Sequence, residues 1–333
     1  MNEERQPLVD PVTPTARPWQ QPLIARLRAQ ARQDRLPHAL LVEPGSRADS
    51  RDFGWRLAQA LMCAAQPGDD ACGSCDSCRL MAANSHPDFS FVTRERNPKR
   101  DGRLNRDISV DQIRQLIHRM TLTGSQQAGR CALIYPAERM NREAANSLLK
   151  TLEEPPPGTL MILLSHHPAR LPVTIRSRCQ HWRVDLPSRD QAEDWLRGQG
   201  VDEASIGPAL DLAEGDPQQA FQLVDTGFLR MQQDFEDRLQ GYLEGRTDAP
   251  SLVQQLKDFD SDDWRRLLAN RLQRQIREQA LAAVDTAGKQ RLRQLLDLQA
   301  RSDRPLQVEE TNLNLQLQLE DLLISFKTAL HRG

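Results

Sequence analysis

Four of the six cysteines lie within sixteen residues and could together hold a metal ion. Their spacing is CX8CX2CX2C, formed by Cys63, Cys72, Cys75 and Cys78. Four thiolates joined by two-residue spacers suit a tetrahedral ion with no open position, as in structural zinc sites. An iron–sulfur cluster would use the same ligands, whereas two disulfides would suit an exported chain. Because we find no export signal, the pattern favours a metal site over a disulfide framework.

Other sulfur and imidazole groups offer weaker candidates. His86, in the tripeptide HPD, is close enough in sequence to be a fifth ligand, but four sulfurs already satisfy the ion. We expect Cys131 and Cys179 to be small buried residues. His166 and His167 have no evident partner in the sequence.

The segment that follows the first predicted strand lies where a phosphate-binding loop of the pattern GxxxxGK[ST] would lie. If Pro44 occupies the first glycine position, Asp49 takes the second, Ser50 the lysine and Arg51 the hydroxyl ligand of magnesium. Proline removes a backbone donor, and Asp49 would place a negative charge against phosphate. Taken alone, this segment is an ordinary loop between a strand and a helix.

Length and charge set limits on the elements that position these residues. The chain has 333 residues, enough for two or three domains, and its 44 Lys and Arg nearly balance 46 Asp and Glu. The net charge of -2 gives no attraction of the whole chain to nucleic acid. The apolar stretch 160–164 is much shorter than the roughly 20 residues of a membrane helix. We therefore expect a cytoplasmic protein with no membrane partner.

Hydrophobic periodicity predicts strands and helices that alternate four times, which favours an α/β fold with a parallel sheet covered by helices on both faces. Beyond Pro187 the sequence predicts only helices, including 313–319, whose apolar residues alternate as in a strand but whose Leu, Gln and Glu favour helix. The predicted strands are 38–42, 88–93, 131–135 and 160–165, and the predicted helices are 23–36, 51–63, 111–120, 141–153, 190–198, 207–214 and several from 227 onward.

Several segments occur in one order at distances typical of a known family: HALLVEPGSRADSRDFGWRLAQALMC, ISVDQIRQL, NSLLKTLEEPPPGTLMILLS and LPVTIRSRC. Together with the cysteine spacing, they resemble the bacterial replicative clamp loader, a branch of the AAA+ ATPases. The resemblance is strong over about residues 19–225. It implies an AAA+ type α/β domain (19–186) with an inserted zinc module (63–78), a small helical lid (187–226) and an all-helical collar for oligomerisation (227–333). The prolines at positions 7, 11, 14 and 18 predict an extended lead-in (1–18) before these domains.

The nucleotide-binding residues of this family are missing here. Hydrolysing members have an intact phosphate loop, an Asp-Glu pair after the strand that corresponds to CALI (131–134) and an arginine in the lid. This chain has Tyr135 and Pro136 in place of the acidic pair, and Gln218 and Gln219 in the lid. The resemblance therefore implies a subunit that binds no ATP and has no independent ATPase activity.

The motif Ser177-Arg178-Cys179 is intact. In the family, its arginine reaches across a subunit boundary to the γ-phosphate held by the neighbouring subunit, as an arginine finger. The resemblance assigns that role to Arg178, with Arg176 as a supporting residue. A surface arginine paired with a carboxylate is the alternative. Ser165 lies at the sensor position, where we expect a structural hydrogen bond only.

The resemblance also decides for one structural zinc ion and implies the other clamp loader subunits (gamma/tau and delta) as partners. The sliding clamp and primed DNA would be reached through the complex. Two other functions differ in what they predict. An active clamp loader ATPase would bind ATP tightly with magnesium, and a zinc-dependent nucleic-acid-binding regulator would bind DNA with a strong dependence on salt.

Overall fold

The computed structural model describes residues 17–46, 48, 50–65, 68, 70–96, 102–121, 129–256, 261–282, 286–302 and 312–331. The chain divides into two compact units, Met1–Gln222 and Leu223–Gly333. Most of the predicted lead-in (1–16) and Asp49 of the predicted loop lie outside the described residues. The domain boundaries predicted within 19–333 stay predictions, because this division is coarser.

The first unit contains a parallel five-stranded sheet with the strand order β2-β3-β4-β1-β5. Residues of the inner strands alternate between two buried clusters, one on each face of the sheet, as expected for a sheet covered on both sides. The predicted parallel α/β sheet is confirmed. The strands are β1 (Ala39–Glu43), β2 (Phe89–Val92), β3 (Arg130–Ile134), β4 (Thr159–Leu164) and β5 (Gln180–Arg183).

Strand β5 was not predicted from the sequence. Its residues QHWR are polar and mostly exposed, so they carry neither an apolar run nor a clear alternation. The strand forms because it pairs with β1 at the edge of the sheet, where Leu41 lies opposite His181. This pairing places the motif Ser177-Arg178-Cys179 immediately before the edge strand.

Helices cover both faces of this sheet. One face is covered by α4 and α5, and the other by α1 and α2, as the two buried clusters show. Helices α3, α6 and α9 were not predicted. The helices of this unit are α1 (Gln21–Arg32), α2 (Ser50–Met62), α3 (Asp76–Ala82), α4 (Val110–Thr121), α5 (Arg142–Glu153), α6 (Val173–Arg176), α7 (Arg189–Gly198), α8 (Glu203–Leu212) and α9 (Pro217–Asp225), whose last residues belong to the second unit.

Helix α1 ends four residues before the predicted end at Leu36. Asp34 adopts a left-handed backbone with φ of 51°. The N–H groups of Asp34 and Arg35 donate to the carbonyls of Ala31 and Gln30. This is the usual way in which a left-handed residue ends a helix by satisfying its last carbonyls.

The described residues of the second unit form helices and the short turns between them. The segment 313–319, which alternates like a strand, lies in a helix as predicted, because Leu319, Leu323 and Phe326 form a buried helical stripe. Among the helices that the structure describes, we find none that is both long and apolar enough to span a membrane. The helices are α10 (Phe228–Leu243), α11 (Ala249–Gln255), α12 (Ser261–Ala282), α13 (Thr286–Ser302) and α14 (Asn312–His331).

Candidate functional site

The predicted phosphate-loop position lies between β1 and α2. Ser50, at the position of the lysine, is the first residue of α2 and is only 1% exposed. Its hydroxyl donates a hydrogen bond to the carbonyl oxygen of Ser46 at 2.6 Å. The same Oγ lies 3.0 Å from Nε2 of His166. The side chain of Ser50 is therefore hydrogen-bonded to other residues of this protein, Ser46 and His166.

Tyr135, which replaces the first residue of the acidic pair, also contacts the imidazole of His166. Tyr135 follows β3, and its hydroxyl oxygen lies 3.4 Å from His166 Nε2. Burial raises the pKa of the Tyr135 phenol, which keeps it neutral. The Tyr135–Pro136 peptide bond is cis. His166 thus joins Ser50 to Tyr135, the two residues that replace the lysine and the first acidic residue.

Sequence reasoning did not find His166. One signal was available, because His166 is the second residue after β4, which lies between β1 and β3 in the sheet. Residues at the carboxyl ends of neighbouring parallel strands meet at one edge, where ligands of open α/β sheets bind. Ser165, at the sensor position, is fully buried, and its hydroxyl accepts a hydrogen bond from the N–H of His167 at 3.2 Å.

The loop before α2 packs closely against the connection that follows β5. A Cβ atom added to Gly45 would lie 2.5 Å from the carbonyl oxygen of Val184. Pro44 is buried, and the hydroxyl of Ser46 accepts a hydrogen bond from the N–H of Ala48 at 3.1 Å. Arg51, at the predicted magnesium-ligand position, forms an ion pair with neighbouring Asp52 at 3.5 Å.

The glutamines that replace the lid arginine lie in the first turn of α9. The backbone N–H groups of Gln218 and Gln219 donate to the carboxylate of Asp216 at 3.0 and 3.1 Å, so Asp216 caps this helix. Gln218 is buried, with 7% of its surface exposed. Neither glutamine carries the positive charge that a lid arginine would offer to a nucleotide.

Arg178 lies two residues beyond the end of α6 and is one-third exposed at its side chain. Its guanidinium donates to the carbonyl oxygen of Thr174 at 2.9 Å and lies 2.5 Å from a carboxylate oxygen of Glu153. The hydroxyl of Ser177 also donates to Thr174, at 3.3 Å. Cys179 is buried, and burial raises the pKa of its thiol to about 12. The motif therefore lies between α6 and the edge strand β5, with Arg178 partly exposed and Cys179 buried.

The four predicted metal ligands converge. Their sulfur atoms all lie within 4.8 Å of one another. Cys63 Sγ is 3.9 Å from Cys75 Sγ, and Cys72 Sγ is 4.0 Å from Cys78 Sγ. Around a tetrahedral zinc with bonds of about 2.3 Å, sulfur atoms are about 3.8 Å apart. The cluster therefore fits a zinc ion, and the four cysteines can hold a metal.

Backbone N–H groups surround these sulfurs. Those of Ser74 and Cys75 donate to Cys72 Sγ at 3.4 and 3.3 Å, and that of Cys78 donates to Cys75 Sγ at 3.4 Å. The hydroxyl of Ser74, followed by the backbone donors, lowers the pKa of the Cys72 thiol to about 5. Burial raises the pKa of Cys78. No pair among the six cysteines is disulfide-bonded.

The remaining candidates lie outside the cluster. Nε2 of His86 lies 3.2 Å from the hydroxyl of Ser77, and its Nδ1 accepts the N–H of Asp88 at 3.1 Å. Burial lowers the pKa of His86, so its neutral form is favoured. Cys131 is buried in the sheet, and burial raises its pKa to about 12. His86 therefore contacts the cysteine cluster indirectly, through Ser77, which lies between Cys75 and Cys78.

Comparison with known proteins identifies relatives. A family model described as "DNA polymerase III, delta subunit" matches residues 19–187. A DNA polymerase III subunit delta' from Yersinia pestis is 30% identical over 95% of this chain and 96% of its own length. One from Haemophilus influenzae is 36% identical over 66% of this chain, and this match spans slightly less than two thirds (64%) of that relative.

A solved structure also aligns with the chain. It is a DNA polymerase III gamma subunit-related protein from Thermotoga maritima, with 15% identity over 93% of this chain and 99% of that one, and a TM-score of 0.49. The family assignment rests on the sequence matches, one of which spans nearly the whole chain. The chain belongs to the family of DNA polymerase III delta prime subunits.

Proposed function

We propose that this protein is a non-hydrolysing subunit of the DNA polymerase III clamp loader, which helps to load the sliding clamp onto primed DNA. In this role it binds no ATP and serves as a partner of the hydrolysing gamma/tau subunits and of delta. One observation carries the proposal. Ser50 and Tyr135, which stand where ATPases have the lysine and an acidic residue, lie within hydrogen-bonding distance of one imidazole.

The physical argument concerns charge. A triphosphate needs cationic and N–H donors, and magnesium needs carboxylate or hydroxyl ligands. In the described part of this pocket Ser50, Tyr135 and His166 form a hydrogen-bonded group, and Gln218 and Gln219 replace a lid cation. A nucleotide would have to break these hydrogen bonds and would gain neither a lysine nor an acidic pair in return.

In this proposal the protein contributes to ATP hydrolysis at the site of a neighbouring subunit. We infer that Arg178 reaches the γ-phosphate bound by a neighbouring subunit and neutralises the charge that develops during transfer. Its side chain is partly exposed at the surface of the first unit, and its planar guanidinium suits bidentate contact with phosphate oxygens. Glu153 holds it in the isolated chain, and phosphate oxygens would replace this carboxylate in the complex.

The cysteine cluster completes the proposal. We assign it to one structural zinc ion held by Cys63, Cys72, Cys75 and Cys78, because four sulfurs leave no open position for chemistry. A bound ion would join the end of α2 to the start of α3. Iron in the purified protein, or a fully folded protein without metal, would contradict the zinc assignment.

The test of the trans role is reconstitution of the complex with Arg178→Ala. We expect normal assembly and much reduced DNA-stimulated ATP turnover and clamp loading. Arg183→Ala is the matched control, because Arg183 is another exposed arginine near a carboxylate, 3.4 Å from Asp185. Unchanged rates for Arg178→Ala would refute the finger role.

The nucleotide-free state is tested separately with the isolated chain. We expect no ATP binding in a calorimetric titration with magnesium at millimolar ATP. Tight, magnesium-dependent binding would identify an active ATPase instead. Strong, salt-sensitive binding of DNA by the isolated chain would favour a nucleic-acid-binding regulator.

A further inference from the structure

Two buried arginines hold the loop that connects the first two cysteines of the cluster. Arg28 lies on α1 and is 4% exposed, and Arg56 lies on α2 and is 2% exposed. Neither residue belongs to the predicted nucleotide site or to the cysteine pattern. A guanidinium stays charged at any ordinary pH, so a buried one needs partners that offset its lost hydration.

The partners of Arg56 are the carboxylate of Asp70, between α2 and α3, and the side chain of Gln21 on α1. Its Nε donates to a carboxylate oxygen of Asp70 at 3.3 Å, and its Nη2 donates to the other oxygen of the same carboxylate. The Nη2 atom also donates to the side-chain oxygen of Gln21 at 3.1 Å. Arg56 therefore binds Asp70 through both carboxylate oxygens, the arrangement in which arginine is most specific.

Arg28 holds the backbone of the same loop. Its Nη2 donates to the carbonyl oxygen of Ala65 at 3.0 Å, and its Nη1 donates to the carbonyl oxygen of Asp70. Ala65 lies two residues after Cys63, and Asp70 lies two residues before Cys72. One side chain thus binds the loop near both of its ends.

Two further hydrogen bonds link Asp70 and its neighbours to the cysteine cluster. The carboxylate of Asp70 accepts the N–H of Ala71 at 2.8 Å, which fixes the backbone immediately before Cys72. The N–H of Cys72 in turn donates to Cys63 Sγ at 3.4 Å. Hydrogen bonds on either side of the Ala71–Cys72 backbone therefore connect the helices of the α/β core to the sulfurs.

We propose that Arg28, Arg56 and Asp70 are positioning residues for the metal site. They hold Ala65, Asp70 and Ala71, which lie one or two residues from Cys63 or Cys72, so that the ion does not have to order these residues when it binds. Groups that orient metal ligands without touching the metal commonly change affinity by about 10- to 100-fold. The inference rests on the metal site proposed above and is independent of the clamp loader role.

The test is a titration of the full chain with cobalt(II), whose thiolate absorption reports affinity and tetrahedral geometry. We expect Asp70→Asn to bind cobalt about 10- to 100-fold more weakly than the wild type, with the same spectrum at saturation. The substitution keeps the size of the side chain and one acceptor oxygen, and Gln21 remains a partner of Arg56, but it removes the charge that pairs with this buried arginine. Circular dichroism of the metal-free variant therefore accompanies the titration. The cobalt affinity of Arg56→Lys should lie between those of the wild type and Asp70→Asn, because lysine keeps the charge but loses the bidentate contact.

Asp76→Asn is the matched control. Asp76 directly follows Cys75 and pairs with Arg79, but both side chains are largely exposed, at 81% and 68%. We expect its cobalt affinity to stay within about twofold of the wild type, because exposed pairs contribute little. Equal losses in Asp76→Asn and Asp70→Asn would overturn the proposal.

Two further outcomes separate the proposal from its premise. Unchanged affinity in both Asp70→Asn and Arg56→Lys would refute the positioning role and leave the metal site intact. A wild-type chain that binds no cobalt would refute the metal site itself. Thermal unfolding of each metal-free variant completes the test, since weaker binding that only follows a general loss of stability would also overturn the positioning role.

Discussion

Glu153 and Arg178 form an ion pair that joins two sequence motifs. Glu153 is the last residue of α5 and the first glutamate of the segment TLEEPP, and its carboxylate oxygen lies 2.5 Å from a guanidinium nitrogen of Arg178. Their side chains are 51% and 34% exposed. A pair at such a surface contributes only about 0.2–1 kcal/mol, so the carboxylate orients the arginine without holding it firmly.

The first prediction concerns this pair. Glu153→Gln should lower the free energy of unfolding by less than about 1 kcal/mol, measured by urea denaturation. In the reconstituted complex it should retain ATP turnover, because Arg178 keeps its planar guanidinium. Arg178→Lys should lower the turnover of the served ATP site by about 10-fold or more, since lysine lacks that fork. Equal losses in the two variants would mean that Glu153 itself is required in hydrolysis.

The second prediction concerns the loop before α2. Gly45→Ala should destabilise the protein by about 1–3 kcal/mol, because its Cβ would lie 2.5 Å from the backbone oxygen of Val184 and the chain would have to move. Gly198→Ala is the control, since a Cβ there meets no atom within 4 Å. It should have little effect or stabilise α7 by up to about 1 kcal/mol. Comparable unfolding midpoints for the two variants would contradict the packing described here.

The third prediction concerns pH. Because burial lowers the pKa of His86 in the folded chain, an NMR titration of its ring should give a value below 6.5. Below pH 6.5 the unfolded chain then binds the proton more readily, so stability falls as the pH drops from 6.5 towards the folded pKa. Above pH 6.5 this contribution vanishes.

The same linkage can be measured as a difference between two proteins. The free energy of unfolding of the wild type, relative to that of His86→Gln, should decrease as the pH is lowered from 7 to 5. A constant difference over this range would show that His86 has an ordinary pKa. Both proteins are compared in their metal-free form, because His86 contacts Ser77 next to the ligand Cys78 and loss of metal in acid need not be equal in the two.

The fourth prediction concerns metal content. Cys63→Ser should lose zinc from the purified protein, because three sulfurs remain of the four that the site needs. Cys131→Ser is the control with a cysteine buried in the sheet, and it should keep about one zinc per chain even if it is less stable. Elemental analysis distinguishes these outcomes. Zinc retained by Cys63→Ser at the wild-type level would place the ion elsewhere.

The strongly patterned elements of the fold were predictable from the sequence. The buried strands β1, β3 and β4 are continuous apolar runs, and α4 and α5 have clear helical periodicity. Strand β5 was missed because a polar edge strand has no such pattern and depends on its pairing with β1. The short helix α3 was missed because its residues were interpreted only as part of the metal-binding segment.

The sequence by itself determined the chemistry that is present and absent: four thiolates at ligand spacing, an intact Ser177-Arg178-Cys179 motif, and no lysine or acidic pair for a nucleotide. Residue types and their local spacing are sufficient for such statements. Only the tertiary structure decided which distant side chains meet. His166 joins Ser50 to Tyr135, Glu153 orients Arg178, and two arginines hold the cysteine loop, because these contacts depend on the order of strands and the packing of helices.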